Sequence, residues 1–226
     1  MKFGILGSGM VGRGIAAKLV EQGNDVMIGT RDVDALMAST ASDFMGNPPF
    51  PVWHAQNSGV KVGSFAETAA HGEVLFNATN GYGSLPALSQ AGESNLNGKL
   101  LIDISNPLDF SQGMPPTMFI SNTDSLGEQI QRTYPRVKVV KSLNTLTAAL
   151  MVNPGLLADG DHTIFVSGND SDAKAQTTEI LKSFGWHDII DLGDITTARG
   201  TEMLVALWLR LLGVLQTPMF SFKVVR

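Results

Sequence analysis

Six residues near the start of the chain, Gly7-Ser8-Gly9-Met10-Val11-Gly12, have the spacing to bind a pyrophosphate through backbone rather than side chains. In such a turn the first glycine permits the bend, the second lets the backbone approach the phosphates, and the third lets helix and strand pack closely. The helix that follows then offers its free N–H groups and the positive end of its dipole. About twenty residues on stands Gly29-Thr30-Arg31. A site for NAD places an Asp or Glu there to accept from the ribose 2′-hydroxyl, and such a carboxylate would repel a 2′-phosphate. Here Gly29 leaves room, Thr30 brings a hydroxyl and Arg31 a forked cation suited to phosphate. The pattern reads as NADP. In the competing reading Asp32 reaches back to the ribose; Asp32 is better placed to cap a helix over Val33 to Ser39.

Three further polar clusters follow apolar runs: Asn77-Ala78-Thr79-Asn80-Gly81, Ser105-Asn106-Pro107 and Lys141-Ser142-Leu143-Asn144-Thr145. Ligands of open α/β sheets bind beyond the carboxyl ends of the strands. On that ground Ala78, Thr79, Asn80, Asn106 and Pro107 are candidate cofactor contacts, with the Asn amides reaching ribose or carboxamide. The competing reading is ordinary turn chemistry. Lys141 and Asn144 are candidate catalytic residues, able to orient a substrate carbonyl or stabilise charge developing on it. Gly81 and Tyr82 are placed to wall one side of the nicotinamide and Pro107 another.

These residues need a scaffold, and its elements can be read. Strands are expected at Lys2–Leu6, Asp25–Ile28, Val60–Val62, Val74–Ala78, Lys99–Asp103, Lys138–Lys141, His162–Ser167 and Asp188–Asp191. Helices are expected at Met10–Glu21, Val33–Ser39, Ser64–His71, Ser84–Ser89, Ser125–Thr133, Ser171–Phe184 and Arg199–Gln216. The alternation predicts an α/β Rossmann-type fold, a doubly wound and mostly parallel sheet with a C-terminal strand and helix extension. Residues 1–145 read as a nucleotide-binding domain and 146–226 as an αβ extension with a helical cap; the alternative reading is one continuous domain. The segments 46–58, with Pro48, Pro49 and Pro51, and 110–116 read as loops, the first an insertion.

Composition narrows the class. In 226 residues, 43% are hydrophobic, enough for a substantial core. A net charge of −5 with no basic run argues against a nucleic-acid surface. With no cysteine there is no disulfide, thiolate metal site or cysteine nucleophile. The histidines, His54, His71, His162 and His187, lack metal-ligand spacing, and the aspartates crowding the last third fit caps and turns, so no metal is expected. The first strand begins at once, leaving no signal peptide, and Met203 to Leu215 is too short for a membrane span and holds Arg210. A cytoplasmic protein is expected.

The glycine turn, Gly29-Thr30-Arg31, Asn77-Ala78-Thr79 and Lys141-Ser142-Leu143-Asn144-Thr145 together resemble the NADPH-dependent deazaflavin (coenzyme F420) reductase family over nearly the whole chain. The fold this resemblance implies is the one that also forms the cytosolic reductase domain of metalloreductases that pass electrons from NADPH to a flavin. The resemblance implies that Thr30 and Arg31 hold the 2′-phosphate and that Gly7, Ser8, Gly9, Met10, Val11 and Gly12 hold the pyrophosphate. The expected activity is hydride transfer between NADPH and a flavin-like acceptor, which needs stacked rings more than an acid–base pair. Two alternatives stay open: an imine or keto-acid reductase using Lys141 or Asn144 as donor, and a non-enzymatic NADP(H) sensor. The apolar final helix suggests a homodimer.

Overall fold

The computed structural model describes residues 1–43 and 46–226. Its strands are β1 (Lys2–Leu6), β2 (Asp25–Thr30), β3 (Val60–Ser64), β4 (Val74–Asn77), β5 (Leu100–Asp103), β6 (Leu108–Asp109), β7 (Thr117–Met118), β8 (Lys138–Ser142), β9 (Thr163–Gly168) and β10 (Asp188–Asp191). All but β6 and β7 form one eight-stranded sheet in the order β10-β9-β8-β5-β4-β1-β2-β3. From β3 to β8 the pairs are parallel, with Ile5 opposite both Ile28 and Phe76 at the centre. The run β3-β2-β1-β4-β5-β8 reproduces the doubly wound nucleotide-binding order. The β8–β9 pair is antiparallel, with Lys141 opposite Ser167, and β10 runs parallel to β9. The strands read from residue 146 onward therefore extend the same sheet.

The central strands β4 and β5 are buried along their whole length, as expected of a sheet covered on both faces. One face is covered by α1 (Met10–Glu21), α3 (Phe50–Gln56), α8 (Ala148–Val152) and α9 (Ser171–Ser183), through residues such as Ile15, Phe50, Leu150 and Leu181. The other is covered by α4 (Phe65–His71), α5 (Gly81–Ala91), α6 (Glu93–Leu96), α7 (Leu126–Thr133) and the first turn of α10 (Ala198–Leu215), through Phe65, Leu88, Leu96, Ile130 and Ala198. The short helix α2 (Val33–Met37) buries none of its residues. Its cap is Asp32, which accepts from the Ala35 N–H at 2.9 Å.

Segment 46–58 differs from the expected loop: Phe50–Gln56 is helical. Proline is tolerated in a first helical turn, where its missing N–H has no partner to lose, and the fully buried Phe50 anchors the helix. Phe44 and Met45, just before it, lie outside the described residues. The loop 110–116 is flanked by β6 and β7, an antiparallel pair joining Leu108 to Met118. Helix α5 starts at Gly81, not Ser84, because Asn80 caps it, accepting from the Gly83 N–H at 2.7 Å. A Cβ at Gly81 would lie 2.2 Å from the Asn106 carbonyl oxygen, so packing rather than helix propensity requires glycine there. Helix α8 has no counterpart among the expected elements.

The last helix is amphipathic along part of its length only. Thr201, Glu202 and Val205 are buried, whereas Leu207, Val214 and Leu215 are exposed. After Gln216 the chain returns along β9: the Thr163 N–H donates to the Phe222 carbonyl at 2.8 Å and Trp208 stacks on Phe220 at 5.1 Å.

Candidate active site

Strand β1 lies between β2 and β4, and the helices that follow β1 and β4, α1 and α5, cover opposite faces of the sheet. At that reversal, beyond the carboxyl ends of the strands, a cleft of about 600 Å³ opens. It is lined by Gly7, Ser8, Gly9, Thr30, Arg31, Ala78, Thr79 and Asn80 of the candidate residues, with Tyr82 and Pro86 from α5. Residues from three separated stretches of sequence thus meet in one cavity.

The glycine turn carries its expected division of labour in measurable form. Gly7 has φ +122°, and a Cβ on it would sit 2.5 Å from the Ala78 carbonyl oxygen. A Cβ on Gly12 would lie 2.0 Å from the Gly7 carbonyl oxygen. Gly9 is different: nothing lies within 4 Å of where its Cβ would be, so the space beside it is open to a ligand. Among the described residues no side chain caps α1, and its first turn holds no acidic residue. The N–H groups and dipole of α1 are left for an anion. Met10 and Val11 begin α1, and Gly12 is packed beneath the turn.

At the end of β2, Thr30 and the exposed Arg31 face the cleft, and no carboxylate of the described residues pairs with Arg31. Asp32 is occupied as the cap of α2. Gly29 is glycine for a further reason: a Cβ there would press on Thr68 Oγ1 at 2.9 Å and on Phe65. These features fit a nucleotide with a 2′-phosphate: a cation, a hydroxyl and helix N–H groups in one cleft, with no competing carboxylate among the described residues.

Thr79 is held from below. Its hydroxyl donates to Asn77 Oδ1 at 2.7 Å and lies 3.0 Å from Ser84 Oγ. Asn77 Nδ2 donates to Asp103 Oδ1 at 2.8 Å, as does the Ser105 hydroxyl at 2.7 Å. Asp103 Oδ2 in turn meets Lys141 Nζ at 2.8 Å. Lys141 takes a different place from the one the sequence suggested. Its side chain is fully buried, between Asp103, Glu202 Oε1 at 2.8 Å and the Ser105 carbonyl. Burial alone would lower the pKa of this ammonium, but the two carboxylates outweigh it and raise it. A lysine so enclosed holds β5, β8 and α10 together and does not reach the cleft.

Asn144 and Asn106 are also drawn inward. Asn144 Nδ2 donates to Asn106 Oδ1 at 2.9 Å and to the Thr201 carbonyl at 3.1 Å, while Asn106 Nδ2 donates to the Asn144 carbonyl at 2.8 Å. The pair locks the end of β5 to the turn after β8. Pro107 is buried beside it.

Sequence reasoning missed Glu202, Asp103 and Arg13. Glu202 accepts from the N–H groups of Leu126 at 2.8 Å and Gly127 at 3.0 Å at the start of α7, besides binding Lys141. No local motif marks it, because its partners lie about sixty and seventy-five residues away. Arg13 Nε donates to the Ser8 carbonyl at 2.9 Å and Nη1 to the Pro48 carbonyl at 2.7 Å. At the outer lip Tyr82 stacks on Phe119 at 4.2 Å, with Asp109 beside its hydroxyl; burial and that carboxylate raise the tyrosine pKa. No group of His, Asp and Glu among the described residues could hold a metal ion, and no helix among them is long and apolar enough to cross a membrane.

The strand order and the turn define a Rossmann-type dinucleotide-binding oxidoreductase fold. Residues 2–107 match the family described as NADP oxidoreductase, coenzyme F420-dependent. A crystal structure from Arthrobacter sp. FB24, provisionally assigned as an F420-dependent NADP reductase, is 55% identical and superimposes with a TM-score of 0.95, all of both chains being covered. The F420-dependent NADP reductase of Methanothermobacter marburgensis is 24% identical, over 93% of this chain and 92% of its own. Metalloreductase STEAP3 of Rattus norvegicus is 30% identical over 96% of this chain, which spans only 38% of that longer protein. The chain belongs to the F420-dependent NADP reductase family, whose members are NADP-dependent oxidoreductases.

Proposed function

We propose that this protein transfers a hydride between NADPH and a flat, conjugated acceptor of the deazaflavin or flavin type. The observation that carries the reading is the cleft at the strand reversal, open at Gly9 and flanked by Arg31, which pairs with no carboxylate among the described residues. Bound NADPH supplies the hydride. The chain's own part is to bind and orient it: the N–H groups of α1 take the pyrophosphate, and Thr30 and Arg31 take the 2′-phosphate. The stretch Ala78-Thr79-Asn80 borders the ribose and carboxamide, and the locked Asn106–Asn144 pair supports the strand ends behind it. Residues 1–145 carry the nucleotide and 146–226 the acceptor-side cover.

Hydride delivery to a ring that accepts it at carbon asks little proton transfer of the protein. That requirement suits a cleft in which Lys141 is sequestered and Asn144 is already hydrogen-bonded. The same facts disfavour an imine or keto-acid reductase that depends on Lys141 as donor. The exposed Leu207, Val214 and Leu215 on α10 support a homodimer. An enzyme using NADPH, a cytoplasmic metabolite, is assigned to the cytoplasm.

The test is oxidation of NADPH by purified protein in the presence of coenzyme F420, FMN, FAD and riboflavin in parallel. Turnover with one of these rings is expected. Tight NADPH binding with turnover only on an imine or keto acid, or on nothing, overturns the reading.

A further inference from the structure

We infer that Arg13 fixes the orientation of the pyrophosphate-binding turn, and that the helix at Phe50–Gln56 is the buttress that holds Arg13 in place. The inference deepens the nucleotide-binding reading above and rests on it.

The geometry is specific. Arg13 Nε donates to the Ser8 carbonyl, and Nη1 donates to the Pro48 carbonyl at the entrance to α3. The guanidinium carbon stands 5.2 Å from the centre of the Phe50 ring and 6.0 Å from that of Trp53. Phe50 is fully buried and stacked on His54, so the aromatic floor is rigid. Two diverging donors and a planar face are used together, which a guanidinium can provide and an ammonium cannot.

In a trans peptide the carbonyl and the next N–H point in opposite directions. With the Ser8 oxygen held by Arg13, the Gly9 N–H must point away from it, and it meets no acceptor among the described residues. Gly9 lines the cleft, and its open side is the place a phosphate would occupy. The glycine that lets the backbone approach the cofactor also lets this peptide rotate, because glycine populates both signs of φ with similar ease. A fixed cation on the carbonyl removes that freedom before the nucleotide arrives. Arg31 and Arg13 therefore divide the work. Arg31 distinguishes the 2′-phosphate, and Arg13 serves the part of the ligand that NADPH and NADH share.

Dissociation constants for NADPH and NADH, read from the fluorescence of the reduced nicotinamide, test this in the full chain. Arg13→Ala should weaken both nucleotides by about tenfold, the ratio between them staying within about twofold, since one charge-assisted hydrogen bond is lost. KM for NADPH should rise by the same factor. Arg13→Lys should leave most of the loss in place. Trp53→Leu keeps an apolar contact but removes the ring, and should weaken both by about threefold. It decides the matter if far-ultraviolet circular dichroism shows Arg13→Ala unfolded. Unchanged affinities, a loss confined to NADPH, or full rescue by lysine would each overturn the inference. Failure of the unmodified protein to bind either nucleotide would instead overturn the nucleotide-binding reading itself.

Discussion

Replacing Lys141 by methionine isolates the buried ion cluster beneath the cleft. The substitution keeps length and apolar stem and removes only the ammonium. It leaves Asp103 and Glu202 facing each other across the vacated position, both out of water. Their other partners remain: Asn77 and Ser105 on Asp103, and the first N–H groups of α7 on Glu202. Those donors soften the loss without neutralising either charge. Breaking a buried pair by removing one partner costs about 3–5 kcal/mol. A chain of this size loses about 2–4 °C of Tm per kcal/mol, so Lys141→Met should melt roughly 6–20 °C lower. Adding Glu202→Gln to Lys141→Met should return part of the loss, giving a coupling of about 1–3 kcal/mol. Urea unfolding followed by tryptophan fluorescence, to which the fully buried Trp186 contributes, measures both quantities. A cost below about 1 kcal/mol, or strict additivity of the two substitutions, would refute the account of Lys141 as the centre of a mutually dependent network.

Two further outcomes are expected. Arg31→Ala should weaken NADPH by about 10–100-fold, the worth of one or two charge-assisted contacts, and leave NADH nearly unchanged; equal losses would remove Arg31 from the 2′-phosphate site. Asp124 has its pKa lowered to about 2, chiefly by its hydrogen bonds from Arg132, against the penalty of partial burial. A depressed carboxylate contributes stability that is complete above its unfolded value, about 3.9, and is lost as pH falls toward the folded one. Asp124→Asn should therefore be less stable than the parent at pH 6, by up to about 1 kcal/mol for so exposed a pair. The gap should close on approaching pH 2, and a gap that widened on acidification in urea titrations would contradict the assignment.

The boundaries of β1, α1 and β10 are legible in the sequence, because each depends on residues next to one another in the chain. Apolar runs bounded by Gly, Asn and Asp mark strand ends, and a glycine turn followed by helical periodicity marks α1. The nucleotide-binding turn and Gly29-Thr30-Arg31 are equally local, so the preference for a 2′-phosphate could be read without coordinates. Helix α3 was hidden by its prolines, since the signal that overrides them is the burial of Phe50, which composition does not announce.

Lys141, Asn144 and Asn106 show the limit most clearly. Their types and their positions at strand ends are sequence facts, and those alone made them candidates for the reacting centre. Whether such a side chain turns toward the cleft or away depends on what packs behind it. Glu202, sixty-one residues beyond Lys141, supplies the charge that draws the lysine inward, and Thr201 supplies the carbonyl that holds Asn144. The sequence by itself determined the alternation of the main strands and helices, the glycine turn that opens α1 and the choice of nucleotide. The tertiary structure alone decided which polar residues line the cleft and which hold the scaffold. Backbone patterns act over a few residues, whereas a buried charge is placed by partners that only the folded chain brings within 3 Å.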